Sequence, residues 1–589
     1  MIMCTFVYYS IILTGEAKEG SATLGCGKMI IPNDEALYLK ERLNLGKSSY
    51  TDLRLLLKDK IVLPTFRIIS IHAQSLLPLS GFLPLLEYGL KFNAREAVIR
   101  TIERRIEITA SIAEFTNIEC FEALIIFGYD GSGSHCTYNS STSLQCDTSH
   151  FVLSGFSLSS ISVNGQVIFR EESPGSCDAE RPLYLCPGRE NKELVDKFVS
   201  QLDSEMKLIQ ETPLPIKVMG IEVLCKVKCI MSQLDGKCVQ MTSGLGGGYC
   251  MACDASWKES VSLEKIMNGF PINRSISQCQ SIFEDLVETN SEGREVIRPE
   301  AGDYAIRKGV TQKPITSFDV CSTLQVTHSW INTLNFFEAI SYKLIASVHT
   351  FGVGARYSPE EKAKLAKAKN DFRQAAAHGP MALKLDMPDS AGNSGNTDTG
   401  NMSRSFFSEK NQGHFVDLLI GCSDVEKEAM RALHMRFSVI LRVLSSKERK
   451  INTTALENFC NETYILLVNS FPWLRSLPRS VHTVLAHTSE RIALNDCYGL
   501  GSLSEESLES MHKYVRNLRE QRARKTCLAE NIQDVMTVLW TRSDPVLRTK
   551  RRTLICSNCN GLFHTRRSCP SIKNSCDKQY DAEVERFFV

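Results

Sequence analysis

The stretch FEALIIFGYD, Phe121–Asp130, is a short apolar run that ends in an acid and is followed by a glycine. A second apolar run, Ile221–Leu234 (IEVLCKVKCIMSQL), leads directly into the Asp-Gly pair Asp235–Gly236. Short runs bounded by turn residues are typical of β-strands. The sequence therefore predicts two strands, each with an aspartate at its carboxyl end. Further predicted elements nearby are strands at Phe151–Val163 and Val167–Phe169 and a helix at Glu193–Glu205.

A third acid lies far downstream, on the predicted helix Leu503–Lys525. Ser504 is the expected N-cap, and Glu505 and Glu506 fall in the first turn, where acids are favoured. Glu509 follows about one turn later. Two strand-end acids and one helical acid fit an α/β fold with a ribonuclease-H-like core, which brings such carboxylates together. On spacing alone each acid is more often structural, because Asp-Gly pairs are common in turns.

Closely spaced carboxylates repel one another and are tolerated when divalent cations neutralise them. Ligand sets made only of oxygen suit Mg²⁺ or Mn²⁺. Two such ions can activate an attacking water or 3′-hydroxyl and stabilise the leaving oxygen at phosphorus. If Asp130, Asp235 and Glu509 meet, they form a catalytic triad for phosphoryl transfer.

The bulk composition is that of an ordinary globular chain, with 589 residues, 43% hydrophobic and 23% charged residues and a net charge of +1. This length predicts two to four domains. Met1–Gly15 is apolar but has no basic start and is too short to span a bilayer, and no later run reaches about 20 apolar residues. We therefore expect no membrane association. We also expect a reducing compartment, in which clustered Cys and His residues bind metal rather than form disulfides.

Two pairs of potential zinc ligands are far apart in the sequence. Cys250 and Cys253 follow a glycine-rich loop, and His482 and His487 lie on a predicted helix, at a spacing that lets both imidazoles share a metal. Two thiolates and two imidazoles would form a closed, structural zinc site. Spacing alone leaves open that the two pairs never meet.

A second zinc candidate is local to the C-terminal tail. Its ligands would be Cys556, Cys559, His564 and Cys569, which have the spacing of a zinc knuckle, a common nucleic-acid contact module. The basic residues Arg551 and Arg552 precede it. A chance match in a cysteine-rich chain is the alternative.

Basic charge is concentrated near the end of the predicted helix Leu503–Lys525. Some of this charge stabilises a helix C-terminus without any ligand. The number of charges nevertheless favours a surface that faces DNA phosphates. The predicted DNA contacts are Lys513, Arg516, Arg519, Arg522, Arg524 and Lys525, together with Arg551 and Arg552.

The remaining patterns divide the chain into regions. Helices are predicted at Val326–Ser347, Pro359–His378, Ser423–Ser446 and Asn452–Ser470. The predicted regions are an uncertain segment 1–33, a helical dimerisation, DNA-binding and pre-catalytic region 34–118, the first part of the core 119–245, a helical zinc-binding insertion 246–500, the catalytic helix 501–527 and a tail 528–589 with the knuckle.

Five motifs resemble, in order and rough spacing, those of the catalytic subunit of the V(D)J recombinase and its relatives, the ProtoRAG and Transib transposases. The resemblance covers about Asp34 to Lys525. The motifs are GYDGSGSH around Asp130, SQLDGKCVQ around Asp235, CMACD at Cys250–Asp254, HTVLAH at His482–His487 and LSEESLESMHKYVRN around Glu509. The resemblance favours Glu509 over Glu505 and Glu506 as the third acid. The knuckle resembles the tail of the invertebrate transposon members and favours a RAG-like transposase.

The resemblance implies a nuclear homodimer that binds paired terminal inverted repeats or recombination signals in double-stranded DNA. Such an enzyme nicks one strand with water, forms a hairpin with the freed 3′-hydroxyl and transfers strands into target DNA. A second, non-catalytic RAG-like subunit is an expected partner. Mg²⁺ or Mn²⁺ and Zn²⁺ are the expected cofactors.

One departure concerns the region before Asp34, where the family's basic, AT-hook-like segment and its zinc region are not found. Either the sequence is truncated, or signal recognition rests on the C-terminal tail. The alternative function is a truncated or domesticated remnant that binds DNA or a protein without cutting. A general ribonuclease-H-type nuclease is disfavoured by the long insertion between Asp235 and Glu509.

Overall fold

The computed structural model describes residues 28–109, 120–133, 149–290, 295–297, 308–321, 323–352, 356–385, 399–447, 449–549 and 578–589. The N-terminal part is a small helical unit with its own apolar core around Leu37, Tyr50 and Ile69. Leu547, from the C-terminal region, completes this core. The elements of the unit are β1 (Met29–Ile30), α1 (Asn33–Arg42), α2 (Lys47–Leu57), β2 (Ile61–Val62) and α3 (Phe66–Ser75).

An eight-stranded sheet forms the centre of the molecule, in the order β3-β4-β8-β6-β5-β10-β9, with β7 paired to β6. Strands β5 and β10 are parallel neighbours, and the other pairs within the sheet are antiparallel. The strands are β3 (Leu83–Leu85), β4 (Gly89–Lys91), β5 (Phe121–Ser132), β6 (Phe151–Val163), β7 (Gln166–Arg170), β8 (Glu180–Pro187), β9 (Leu214–Val218) and β10 (Ile221–Gln233).

Helices from distant parts of the sequence pack against this sheet and share one apolar core with it. They are α4 (Ala94–Ile106), α5 (Lys192–Glu211), α6 (Gly236–Ser243), α16 (Glu506–Gln521) and α17 (Leu528–Arg542). Apolar side chains recur along one face of α5, where Val195, Phe198 and Leu202 are fully buried. This spacing of three and four residues is that of an amphipathic helix.

The long insertion after α6 is mainly helical and has a second apolar core, built around Trp330, Phe337, Phe437 and Leu485. A short strand pair, β11 (Val287–Thr289) and β12 (Glu295–Ile297), precedes most of its helices. The helices are α7 (Leu263–Asn268), α8 (Ile276–Leu286), α9 (Val326–Ile345), α10 (Pro359–His378), α11 (Gly400–Phe406), α12 (Glu409–Asp417), α13 (Asp424–Leu444), α14 (Thr453–Ser470) and α15 (Arg479–Leu494).

The C-terminal residues return to this helical insertion. After α18 (Pro545–Thr549), the last helix is α19 (Lys578–Glu585). Tyr580 lies on His434, with 3.1 Å between its hydroxyl oxygen and Nδ1, and Phe588 pairs with Ile451. The predicted knuckle and its neighbours Arg551 and Arg552 lie outside the described residues.

The long, regular elements agree with the sequence-based expectations to within a few residues, as for β5, β6, β10 and α10. Strands β8 and β9 were not expected. The short strands β3 and β4 were not expected either, because they lie in the region 34–118, which was predicted to be helical and instead adds two strands to the sheet. The predicted boundary near residue 118 differs from the structure, because Leu77, Leu85 and Ile102 already belong to the core of the sheet. The boundary at residue 246 differs as well, since Phe283 and Val320 also pack into that core. No helix in the described ranges is both long and apolar enough to cross a membrane.

Candidate active site

The two predicted aspartates lie at one edge of the sheet. Asp130 is near the end of β5, and Asp235 follows β10 and is the N-cap of α6, where its Oδ1 accepts the Cys238 N–H at 2.6 Å. Because parallel neighbours end at the same edge, the pairing of β5 with β10 brings the two carboxylates together. Ligand atoms of Asp130, Asp235 and Cys238 all lie within 4.8 Å of one another.

The third predicted acid, Glu509, lies in the first turn of α16. This helix packs against β5, and Leu508, Met511 and Val515 bury its apolar face. The adjacent face then points Glu509 toward the aspartates. One small cavity is lined by Asp130, Gln233, Asp235, Glu505, Leu508 and Glu509. The structure therefore brings the three predicted acids to a single site.

The neighbouring acids Glu505 and Glu506 have other partners. The Glu505 carboxylate is buried and accepts the N–H groups of Val326 and His328, at 3.0 and 3.1 Å, at the start of α9. Glu506 forms an ion pair with Arg404 at 3.2 Å. Of the three glutamates, Glu505 and Glu509 line the cavity and Glu506 does not.

The helix that carries these acids is shorter than predicted. It begins at Glu506, whose N–H bonds to the Ser504 hydroxyl at 3.2 Å, and ends at Gln521 rather than Lys525. The end comes early because the N–H groups of Arg522 and Ala523 both bond to the carbonyl of Leu518, which closes the last turn.

The pKa values of the site residues are shifted because several acids lie close together in a partly buried position. Burial, then the charge of Glu505, raises the pKa of Glu509 to about 8 against the opposing charge of His328. Burial lowers the pKa of His328, but its hydrogen bond to Glu505 and the nearby acids outweigh this and raise the pKa to about 9. The His328 Nδ1 lies 3.1 Å from Glu505 and 3.3 Å from Glu509. A cation is therefore favoured among these carboxylates.

Residues 125–248 match the family model of the RNase H domain of recombination-activation protein 1 (RAG1). A search of the curated proteins finds no match. The chain carries a RAG1-type RNase H domain. The match spans both aspartates and confirms the resemblance to RAG1-like recombinases and transposases. A RAG1-type RNase H domain indicates a nuclease of the recombinase or transposase class and implies that the chain binds DNA.

The donor set of the RAG1-type RNase H domain fits divalent metal. Nucleases with RNase H-like domains usually use such ions, and the carboxylates at this sheet edge supply the hard oxygen ligands that Mg²⁺ and Mn²⁺ prefer. Burial, and then the charge of neighbouring carboxylates, raises the pKa of Glu509, so its ionised form is favoured when a cation is bound beside it.

Several residues of the site were not found from the sequence. Glu190, just after the unexpected strand β8, lies 3.2 Å from the Cys238 thiol, and burial and then the nearby Asp235 charge help to raise its pKa. The His512 Nε2 lies 3.0 Å from the Asp130 carboxylate. His512 was detectable, because it lies three residues after Glu509 on one helix face. Glu190 was not, since its strand was missed.

A cleft of about 530 Å³ opens beside the acids, between α6 of the RAG1-type domain and the helical insertion. Gly236, next to Asp235, and His328 form its wall on the side of the acids. Lys343 and Arg479 add positive charge to the lining, and the remaining wall contains aromatic side chains: Trp257, Phe351 and Tyr357.

The four predicted zinc ligands also lie together. The Sγ atom of Cys250 is 3.5 Å from Nε2 of His487, and the Sγ atom of Cys253 is 3.3 Å from Nε2 of His482. All four side chains are buried, with their ligand atoms within 4.8 Å of one another. Zn–S and Zn–N bonds in a tetrahedron separate S and N by roughly 3.5 Å, so the cluster fits zinc. The Nδ1 atom of His482 contacts the Tyr464 hydroxyl at 2.8 Å, which orients the ring.

The predicted basic surface differs in part from the structure. Lys513, Arg516 and Lys525 are exposed. Arg519 is buried and lies over the Phe151 ring at 3.9 Å, so the expectation that it faces phosphate is wrong. Three further arginines bond within the chain: Arg516 donates to the Gly133 carbonyl at 2.6 Å, Arg522 pairs with Glu41 at 3.1 Å, and Arg524 pairs with Asp534 at 2.9 Å.

Proposed function

We propose that this protein is a metal-dependent DNA transposase or recombinase whose catalytic triad is Asp130, Asp235 and Glu509. The observation that carries the proposal is the cavity at the sheet edge, which all three acids line. The RAG1-type RNase H domain supports the same reaction class. Glu190 and His328 lie beside the triad, and their charges would influence the pKa values of its carboxyl groups.

Each acid would act as a ligand for Mg²⁺ or Mn²⁺. When two such ions are bound, they would supply neutralisation of the carboxylates and Lewis acidity at phosphorus. The chain itself holds the ligands rigidly: Asp235 by its cap bond on α6, and Glu509 by burial of the apolar face of α16. His512 would orient the Asp130 carboxylate across their 3.0 Å contact.

DNA would lie along the cleft beside the acids, with Lys343 and Arg479 near its backbone. The exposed Lys513 and Arg516, on the helix of Glu509, would extend this basic surface. The substrate class would be paired terminal inverted repeats or recombination signals. The products would be nicks, hairpins and strand-transfer joints.

The cluster of Cys250, Cys253, His482 and His487 would hold a structural Zn²⁺ that ties the segment after β10 to the helical insertion. We propose a homodimer in the nucleus, of the invertebrate transposon type, with a RAG-like second subunit. The tail residues Cys556, Cys559, His564 and Cys569 would form a second zinc site.

The proposal is tested by a Mn²⁺-dependent nicking and hairpin assay on DNA that carries the repeats flanking the gene. We expect Glu509→Gln to lower the cleavage rate by more than about 100-fold while DNA binding is retained, because the change removes a metal ligand and no phosphate contact. Glu506→Gln is the matched control, since Glu506 lies in the same helix turn as Glu509 but pairs with Arg404. This control should retain most of the wild-type rate.

Two outcomes would contradict the proposal. Equal cleavage by wild type and Glu509→Gln would remove Glu509 from the triad. Binding of the repeats without any metal-dependent product from the wild type would instead favour a domesticated, non-cutting remnant.

A further inference from the structure

A fully buried carboxyl group, Glu180, lies at the start of β8 behind the proposed triad. Its Oε2 accepts the side-chain amide of Gln233 at 2.7 Å and the hydroxyl of Ser507 at 2.8 Å. The Gln233 amide also donates to the Ser507 hydroxyl at 3.0 Å. These three residues, named here the Glu180 bridge, join strands β8 and β10 to helix α16.

Two of the three residues of the Glu180 bridge each lie two positions before a proposed metal ligand. Gln233 is the last residue of β10 and precedes Asp235 by two positions, and Ser507 precedes Glu509 by the same spacing. The bridge therefore connects the element that carries the second acid to the element that carries the third.

The strand that carries the first acid, Asp130, contacts Gln233 of the Glu180 bridge through the backbone. Gly128, two residues before Asp130, pairs with Gln233 at an irregularity of the β5–β10 ladder. A Cβ atom at Gly128 would lie 2.0 Å from the Gln233 carbonyl oxygen, so the two backbones leave no room there for a side chain at position 128. The Gly128 carbonyl also accepts the Ser154 hydroxyl at 2.8 Å, which fixes it to β6.

The Glu180 side chain acts here as a neutral acceptor. Both of its hydrogen-bond partners are uncharged, and its Oε1 atom has none among the described residues. Burial raises the pKa of this carboxyl to about 8, although both hydrogen bonds oppose the shift. A buried carboxylate without a cation would be strongly unfavourable, so the protonated form is expected at neutral pH.

We propose that Glu180 is a positioning residue that sets the separation of Asp235 and Glu509 by holding Gln233 and Ser507 at one acceptor atom. The inference rests on the proposed function, because the separation matters only if these acids share metal ions. Without the acceptor, the Gln233 amide and the Ser507 hydroxyl lose a buried partner, and their mutual hydrogen bond is left to join β10 to α16 there. A misplacement of about 1 Å in a catalytic group costs on the order of 100-fold in rate.

The test compares Glu180→Met, which removes the acceptor, with Glu180→Gln, which keeps an amide oxygen for both donors. We expect Glu180→Met to lower the saturated cleavage rate by about 10-fold or more and to raise the Mn²⁺ concentration at half-saturation several-fold, with unchanged affinity for DNA. Glu180→Gln should stay within about threefold of wild type in each quantity. Mn²⁺ binding is measured directly by calorimetry, so this readout does not depend on cleavage.

Ile209→Ala is the control for a loss of stability alone, since Ile209 is buried on α5 and contributes to the core of the sheet. It should lower the melting temperature and leave the Mn²⁺ half-saturation unchanged. If Glu180→Met does not fold, Ser507→Ala removes one corner of the bridge and should give a smaller shift in the same direction.

Normal Mn²⁺ binding and rate in folded Glu180→Met and Ser507→Ala would overturn the proposal. Equal damage from Glu180→Gln and Glu180→Met would also overturn it, since it would mean that an ionised carboxylate is required. Failure of the proposed function looks different: wild type would then produce no metal-dependent cleavage while binding of Mn²⁺ still responded to Glu180→Met.

Discussion

At the scale of single residues, three glutamates within five positions have three different surroundings. Glu505 caps α9, Glu506 pairs with Arg404, and Glu509 borders the cavity of the aspartates. Helical geometry turns Glu506 about 100° away from Glu505, whereas Glu505 and Glu509 are four residues apart, share a face and both line the cavity. Their chemistry therefore depends on the direction of each side chain and not on its type.

The Cys/His cluster is the other feature whose role is decided by individual side chains. We expect Cys250→Ala or His487→Ala to lower the melting temperature by about 10 °C or more and to reduce the zinc content by one ion per chain, because zinc coordination contributes folding free energy. Thermal unfolding and elemental analysis measure the two effects.

Cys460→Ala is the matched control for the zinc prediction. Cys460 is buried in the core of the same helical insertion and lies outside the cluster of four ligands. Its loss should cost little stability and no zinc. A folded Cys250→Ala protein with full zinc content would refute this site.

At the scale of secondary-structure elements, the parallel pairing of β5 with β10 creates the site. Parallel strands are not adjacent in sequence, and here β6, β7, β8, α5 and β9 lie between them. The pairing brings both aspartates to one edge, and the register of the ladder shifts between Met231 and Gln233, just before the Asp235 cap of α6. Such irregularities commonly re-aim side chains next to active sites.

Close approach of these strands requires a glycine at position 128. We expect Gly128→Ala to destabilise the protein by about 2 kcal/mol or more and to reduce cleavage, because the added methyl group would overlap the Gln233 carbonyl. Gly247→Ala is the control, since a Cβ atom there meets nothing within 4 Å. Denaturant unfolding compares the two variants, and equal stability would contradict the predicted overlap.

At the scale of the whole molecule, the C-terminal helices α17 and α18 pack against both the core of the sheet and the N-terminal helical unit. Asp544 forms a buried ion pair with Arg104 on α4, at 2.8 Å, and accepts N–H groups at the start of α18. Arg181, beside Glu180 on β8, is fully buried and stacks on the Trp540 ring at 3.5 Å. Residues more than 400 positions apart thus hold one core together.

We expect Asp544→Ala to cost about 3–5 kcal/mol, because it leaves the buried Arg104 guanidinium without this partner. Asp581→Ala is the control: its ion pair with Arg442, at 2.7 Å, is half exposed, and such pairs contribute less than about 1 kcal/mol. Chemical denaturation measures both. Similar losses for the two variants would show that the Arg104–Asp544 pair does not hold the C-terminal helices in place.

The sequence by itself determined the features that depend on local chain chemistry. Apolar runs predicted strands β5, β6 and β10, and periodic patterns predicted α9, α10, α13 and α14. Acids placed at strand ends, the Cys-x-x-Cys pair and the two histidines were visible as well. These signals are local, because alternation, capping and ligand spacing extend over only a few residues.

Tertiary structure alone decided the features that depend on distant partners. Strand β8 was missed because Arg181 and Pro182 interrupt its pattern, yet Arg181 is buried through its contact with Trp540. Arg519 is buried for a similar reason, over Phe151. The Glu180 bridge had no sequence signal, since a buried acid is stable only where other elements supply its donors. Burial and partnership are properties of the packed fold, and one-dimensional patterns do not contain them.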